Sequence, residues 1–208
     1  MRFRGRALAL VLLASLLATG SAGAGRAAAA GYAIPEKQPR PETWAQRVPS
    51  PTLKNWYKVD DDVYRSEQPT REGFKEIRAK GIKSVINLRF EFSDAALVEG
   101  LDLVLIEVRM TAWDFSEDDV VRALKAIESA PKPVLIHCQY GSDRTGLIVA
   151  MYRIVYLNWP KDGALAEMKR GSFGFHWYYF NIPAFIKRAD VAGIRKRLGL
   201  GLGPAQAA

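Results

Sequence analysis

The chain has 208 residues, 49% hydrophobic and 25% charged, which fits a folded chain of one domain or slightly more and excludes disorder as its main state. One cysteine excludes an intramolecular disulfide framework, and with only two histidines it leaves no Cys/His zinc cluster. The net charge of +8 suits anionic partners; no basic stripe interleaved with aromatics is present, so nucleic acid is not expected.

Residues 1–30 have the pattern of an export signal: Arg2, Arg4 and Arg6, then the uncharged stretch Ala7 to Ala18, then small residues with cleavage candidates near Ala24 and Ala30. The apolar stretch is too short to span a bilayer comfortably. The expectation is an exported protein, periplasmic or secreted, with no stable membrane anchor after processing. Removing residues 1–24 takes three arginines and no acid, leaving +5. Residues 31–53 carry five prolines among charged residues and predict a linker or extended arm. Residues 54–198 are the expected folded domain, and 199–208 a flexible tail rich in Gly, Pro and Ala.

Within that domain, Val63–Ser66 predicts a short strand. Thr70 can cap a helix running to about Lys80, stopped by Gly81. Ser84–Leu88 and Leu103–Val108 predict strands. Ser116 opens a helix with Asp119 placed for a capping box, and Val120, Leu124 and Ile127 share its apolar face. Pro133–His137 predicts a central buried strand. The segment from Asp143 to Leu157 is apolar on every side and predicts a buried helix. Pro160 starts another helix to about Lys169, and residues 183–198 give one or two more. Strands alternating with helices imply an α/β fold: a single domain with a central, mostly parallel sheet flanked by helices.

The informative segment is His137-Cys138-Gln139-Tyr140-Gly141-Ser142-Asp143-Arg144-Thr145-Gly146, between the apolar strand and the buried helix. A strand-to-helix turn aims successive backbone N–H groups at one point, and the helix start adds partial positive charge. Gly141 permits a positive φ in the turn, and Gly146 permits close packing at the helix start. The product is an anion cradle. A cysteine at its foot is favoured as thiolate by the N–H groups and by Arg144, whose planar fork fits two phosphate oxygens. Gln139, Tyr140, Gly141, Ser142, Asp143 and Thr145 form the wall around the bound anion. Thr145 can donate its hydroxyl to the sulfur, and His137 is expected to order the loop. Asp143 would oppose an anion if it pointed inward, so an outward, helix-capping role is expected.

This Cys-x5-Arg-Thr loop resembles the signature of the cysteine-based protein tyrosine phosphatase superfamily. With Val63-Tyr64-Arg65-Ser66-Glu67-Gln68-Pro69, Gly81-Ile82-Lys83-Ser84-Val85-Ile86-Asn87-Leu88-Arg89 and Val134–Cys138, the chain resembles its atypical dual-specificity branch over roughly residues 55–190. The resemblance implies a tyrosine-phosphatase-like fold and a metal-independent phosphomonoesterase acting without a cofactor. Cys138 is then the nucleophile, Arg144 binds phosphate and the transition state, and Arg65 and Arg89 brace the pocket. A general acid is implied on the loop before the cysteine strand. Asp114, after Trp113, is the leading candidate, although the sequence has Trp-Asp without the proline of better-known members. Asp118 and Asp119 are rivals, but acids in a first helical turn are favoured there by the dipole alone. The aromatic run from Phe173 to Phe180 is expected to be a packing corner, with stacking on an aryl phosphate as its functional alternative. The implied substrate is a phosphorylated protein or small anionic phosphoester; inositol phosphates and phosphoinositides are the alternative. A sulfurtransferase and a catalytically silent phosphate-binding module are the competing classes.

Overall fold

The computed structural model describes residues 40–201. The expected export signal, the arm up to residue 39 and the end of the tail lie outside the described residues.

Six strands form one sheet in the order β1-β2-β3-β6-β4-β5. They are β1 (Gln46–Arg47), β2 (Tyr57–Lys58), β3 (Val63–Ser66), β4 (Ser84–Asn87), β5 (Val104–Glu107) and β6 (Val134–His137). The run β3-β6-β4-β5 is parallel, and β1 and β2 add antiparallel strands at one edge. Every residue of β3, β4 and β6 is buried, as expected when helices cover both faces of a parallel sheet. Successive residues feed two cores: Ile86, Val134 and Ile136 join one, Val85 and Leu135 the other.

The smaller core is closed by α1 (Arg71–Ala79) and α2 (Ala95–Val98) through Phe74, Ile77 and Val98. Thr70 caps α1 by accepting from the Gly73 N–H, and Gly81, at φ 90°, turns the chain into β4. The larger core is closed by α3 (Glu117–Ser129), α4 (Asp143–Val155), α5 (Lys161–Arg170), α6 (Asn181–Arg188) and α7 (Val191–Arg197). At the start of α3 the Ser116–Asp119 capping box forms in full. Helix α4 is buried all round, and its Arg153, also buried, is neutralised by Glu167 of α5 (Nε–Oε2 2.5 Å, Nη2–Oε1 2.8 Å).

The expected domain start at residue 54 moves back to at least residue 40. From Arg40 onward the Pro-rich segment is built into the fold. Ala45 is buried and its N–H donates to Glu167 (2.6 Å), Arg40 donates to the carbonyls of Ala45 and Gly171 (2.7 Å each), and Gln46–Arg47 pair with Tyr57–Lys58. Proline density marked where regular structure is interrupted; it did not exclude packing.

Candidate active site

β6 runs between β3 and β4, with His137 opposite Ser66 and Asn87. Cys138 therefore leaves the sheet at its centre, at the carboxyl ends of the strands, where open α/β sheets bind ligands. The chain turns through residues 139–142 and enters α4 at Asp143. Gly141 sits at φ 67°, and a Cβ there would stand 2.3 Å from the Ser66 carbonyl oxygen, so the turn requires glycine. Among the described residues, no acceptor takes the N–H groups of Gln139, Tyr140, Gly141 or Ser142. Cys138 is 2% exposed, at the junction of the larger core and this loop. It lies close enough to Arg65, Arg89 and Tyr179 for a thiolate charge to act on each.

The loop is clamped from several elements. Arg65, on β3 and 1% exposed, donates to the Gly141 carbonyl (2.6 Å) and lies 3.6 Å over the Phe173 ring. Burial pulls its guanidinium down to about 10, with Glu167 and Cys138 opposing that fall. Asn55 donates to the carbonyls of Tyr140 (2.7 Å) and Phe173 (2.9 Å). The Gln68 N–H donates to the Gln139 carbonyl (3.2 Å). His137 Nε2 meets Asp94 Oδ2 at 2.7 Å, with both side chains buried. The Asp94 Oδ1 accepts from Gln68 Nε2 (2.7 Å), and Gln68 Oε1 accepts from Arg89 (2.7 Å).

Three loop side chains depart from their expected places. The Ser142 hydroxyl turns away from the cradle to the Phe173 carbonyl (2.7 Å). Asp143 neither caps the helix nor faces an anion; its two oxygens take the His176 N–H (2.9 Å) and ring Nδ1 (2.8 Å). Both side chains are engaged by the 172–180 segment, which outcompetes their expected roles. The Thr145 hydroxyl is buried and makes no hydrogen bond, so the expected bond to sulfur is not formed and its donor is unspent. Gly146 behaves as expected, with a Cβ position 3.0 Å from Met168 Cγ.

Arg144, in the first turn of α4, reaches the Met110 carbonyl (3.4 Å). That contact joins the phosphate-binding candidate to the loop carrying Asp114. The loop is held by reciprocal Thr111–Asp114 bonds (2.9 and 3.0 Å) and by Asn181 donating to the carbonyls of Ala112 (2.8 Å) and Trp113 (3.1 Å). Asp114 itself is exposed. Its rivals are occupied: Asp119 closes the capping box and pairs with Arg122, and Asp118 pairs with Arg197. Of the aromatic run, Phe173 is buried in the larger core, and half-buried Phe175 and Tyr179 pack against it. Trp177 is 85% exposed, and Tyr178 and Phe180 are exposed too. Trp113 packs on Tyr178, Tyr179 and Phe180, while His176 packs on Tyr140 and Tyr178. The packing-corner expectation holds for Phe173, Phe175 and Tyr179, while the exposed rings add an aromatic wall joining the cysteine loop to the Asp114 loop.

A family model described as a DSP-PTPase phosphatase fused to NAD+ kinase matches residues 46–175. The chain belongs to the DSP-PTPase phosphatase family. The dual specificity protein phosphatase TpbA of Pseudomonas aeruginosa (strain UCBPP-PA14) is 32% identical over 172 residues, covering 82% of this chain and 78% of the relative. A crystal structure of P. aeruginosa TpbA with serine in place of one cysteine, in complex with pTyr, superposes with a TM-score of 0.70 at 30% identity, covering 78% of this chain and 99% of that one. Inositol diphosphatase DSP3 of Arabidopsis thaliana is 27% identical, covering 69% of this chain and 74% of the relative. As a DSP-PTPase phosphatase the chain is an enzyme, which sets aside the sulfurtransferase and the silent binding module.

Sequence reasoning missed Asn55, Gln68, Asp94 and His176 as supports of the phosphatase loop. Asn55 sits at φ 50°, in the left-handed region that asparagine tolerates, and no pattern in the sequence marks it. The others are ordinary polar residues until the fold brings them to the cysteine loop.

Proposed function

We propose that this phosphatase hydrolyses aryl phosphate esters, phosphotyrosine on proteins foremost, through a phosphocysteine intermediate. The Cys138 thiolate attacks phosphorus in line, and the P–O bond to the leaving group breaks as the P–S bond forms. The free N–H groups of residues 139–142 and the Arg144 fork hold the phosphoryl oxygens as charge redistributes. Asp114 gives its proton to the departing oxygen. As carboxylate it then takes a proton from water, whose oxygen displaces sulfur and releases phosphate. The observation carrying this reading is the cysteine at the floor of an unengaged ring of amides, with an arginine following in the first turn of the helix.

The aromatic wall supports an aryl leaving group, because Tyr140, Trp113 and Tyr178 present exposed ring surface beside the loop. The TpbA complex with pTyr supports the same choice. The Arabidopsis relative favours a second reading, an inositol phosphate substrate; turnover of inositol diphosphates exceeding that of phosphotyrosine peptides would select it. The deciding experiment for mechanism is Cys138→Ser: turnover of an aryl phosphate is lost while phosphate binding by calorimetry is retained. Undiminished hydrolysis by that variant overturns the phosphocysteine mechanism. We further propose export, supported by the pattern of residues 1–24 and tested by amino-terminal sequencing of the mature protein.

A further inference from the structure

We propose that Arg89 is a second cation for the phosphoryl group and that Gln68 and Asp94 are the positioning residues that aim it. This rests on the phosphatase reading of the cysteine loop and adds residues to it.

Arg89 lies two positions beyond the Asn87–His137 register pair, and the intervening Leu88 N–H donates to the His137 carbonyl (3.0 Å). Its side chain therefore starts beside the first residues of the cysteine loop. Its backbone is pinned by Asn87 Oδ1 (2.8 Å), and its guanidinium stacks 4.1 Å over Phe92. Partial burial lowers its proton affinity, Asp94 and Cys138 raise it, and Arg144 lowers it, so the cation shares the field of the cysteine and of the phosphate-binding arginine. Among the described residues it forms no salt bridge; its side-chain acceptor is the neutral amide of Gln68 (2.7 Å).

That acceptor is oriented by Asp94. A glutamine amide has one accepting and one donating end. The Asp94 carboxylate only accepts, so it takes Gln68 Nε2 (2.7 Å) and leaves Oε1 facing Arg89. The reversed amide would set its NH2 against the guanidinium and its oxygen against the carboxylate. Asp94 cannot turn aside, because its other oxygen is held by His137 (2.7 Å) in a buried pair. The backbone N–H of Gln68 meanwhile holds the Gln139 carbonyl (3.2 Å). One residue thus registers the cation against the loop, and the buried carboxylate fixes its sense. A guanidinium held by a neutral acceptor keeps its full charge for an incoming anion, whereas an ion pair would spend it.

The test is a double-mutant cycle on the whole protein with Gln68→Met, Arg89→Met and the pair. The readouts are competitive inhibition by inorganic phosphate, kcat and KM for p-nitrophenyl phosphate, and thermal midpoint. Each single variant is expected to weaken phosphate inhibition about tenfold, and the pair also about tenfold instead of a hundredfold, since both remove one aimed charge. Asp94→Asn should reproduce the loss with Arg89 present and add nothing in the Arg89→Met background. Losses that multiply, an Arg89→Met variant with unaltered phosphate inhibition, or a Gln68→Met variant that melts earlier yet binds phosphate normally would each overturn the proposal. If Asp94→Asn does not fold, the Gln68–Arg89 cycle still decides. The phosphocysteine reading fails separately, on turnover by Cys138→Ser, whatever this cycle shows.

Discussion

Replacing Gly141 by alanine should cripple the enzyme through one atom. At φ 67° an alanine costs about 1–2 kcal/mol for left-handed backbone alone. Its Cβ would also stand 2.3 Å from the Ser66 oxygen, 2.5 Å from that carbonyl carbon and 2.7 Å from the Glu67 nitrogen, all backbone of a central strand and its exit. Restoring a tolerable carbon–oxygen separation of about 3.3 Å moves the loop away from β3 by roughly 1 Å. Arg65 also springs from β3, so its 2.6 Å bond to the Gly141 carbonyl stretches beyond hydrogen-bond length. A bond from a charged donor contributes about 1.5–3 kcal/mol, so the substitution should cost roughly 3–5 kcal/mol in total. A displacement of about 1 Å at reacting atoms costs on the order of a hundredfold in rate. Gly141→Ala should thus lower kcat/KM for p-nitrophenyl phosphate by about a hundredfold or more and lower the midpoint in a thermal melt by roughly 6–20 °C. Gly146→Ala is the control: its Cβ meets only the flexible Met168 side chain, so stability should change by no more than about 1 kcal/mol. A Gly141→Ala enzyme with near-native kinetics and melting would refute the argument that this glycine fixes the cradle.

Asp114→Asn should lower kcat for an unactivated aryl phosphate by about 10²–10³ and flatten the limb of the pH–rate profile that reports the acid, whereas Asp118→Asn should leave kcat nearly unchanged. Asp119→Asn should act on stability instead, by about 1 kcal/mol through the capping box; a kcat loss larger in Asp119→Asn than in Asp114→Asn reverses the assignment. Glu167→Gln leaves buried Arg153 without its counter-charge and should cost about 3–5 kcal/mol, read by chemical denaturation, together with faster proteolysis near residues 40–45, whose Ala45 it holds. Arg65→Met should separate folding from function. Burial holds this guanidinium at about 10 instead of 12.5, a burden on the order of 3 kcal/mol that is present below about pH 10 and is relieved as pH rises through that value. Removing the charge should therefore leave the melting temperature near or above wild type while phosphate inhibition weakens about tenfold; a large loss of stability with unchanged phosphate affinity would contradict it.

What was legible in the sequence was what is local. Thr70, Gly81 and the Ser116–Asp119 box mark helix ends through bonds made within a few residues, and the structure places those ends within a residue or two of expectation. The all-apolar runs of β6 and α4 declared burial on every side. Two-residue strands such as β1 and β2 carry no alternation to read, and their existence depends on partners elsewhere in the chain. The aromatic run was legible only in part, because composition does not say where the chain turns: beyond Gly174, at φ 77°, Phe175 and Tyr179 return to the core while Trp177, Tyr178 and Phe180 face outward.

The same division runs through the site. Cys138, Gly141 and Arg144 lie within seven consecutive residues and announce themselves together, because the nucleophile and anion cradle proposed above would share one stretch of backbone. The groups that make the cradle rigid cannot be consecutive with it, since a loop does not brace itself. They come from β3 (Arg65), from the segment before β2 (Asn55) and the one after β3 (Gln68), from the N-cap of α2 (Asp94) and from the turn before α6 (Phe173, His176). Arg65 and Phe173 stood out in the sequence, but Asn55, Gln68, Asp94 and His176 would each pass for a turn former or a surface polar residue in isolation. Burying such groups is costly unless each finds a partner, so where Arg65, Asp94 and His137 sit dry beside one loop, their cost is evidence of how firmly that loop must be held.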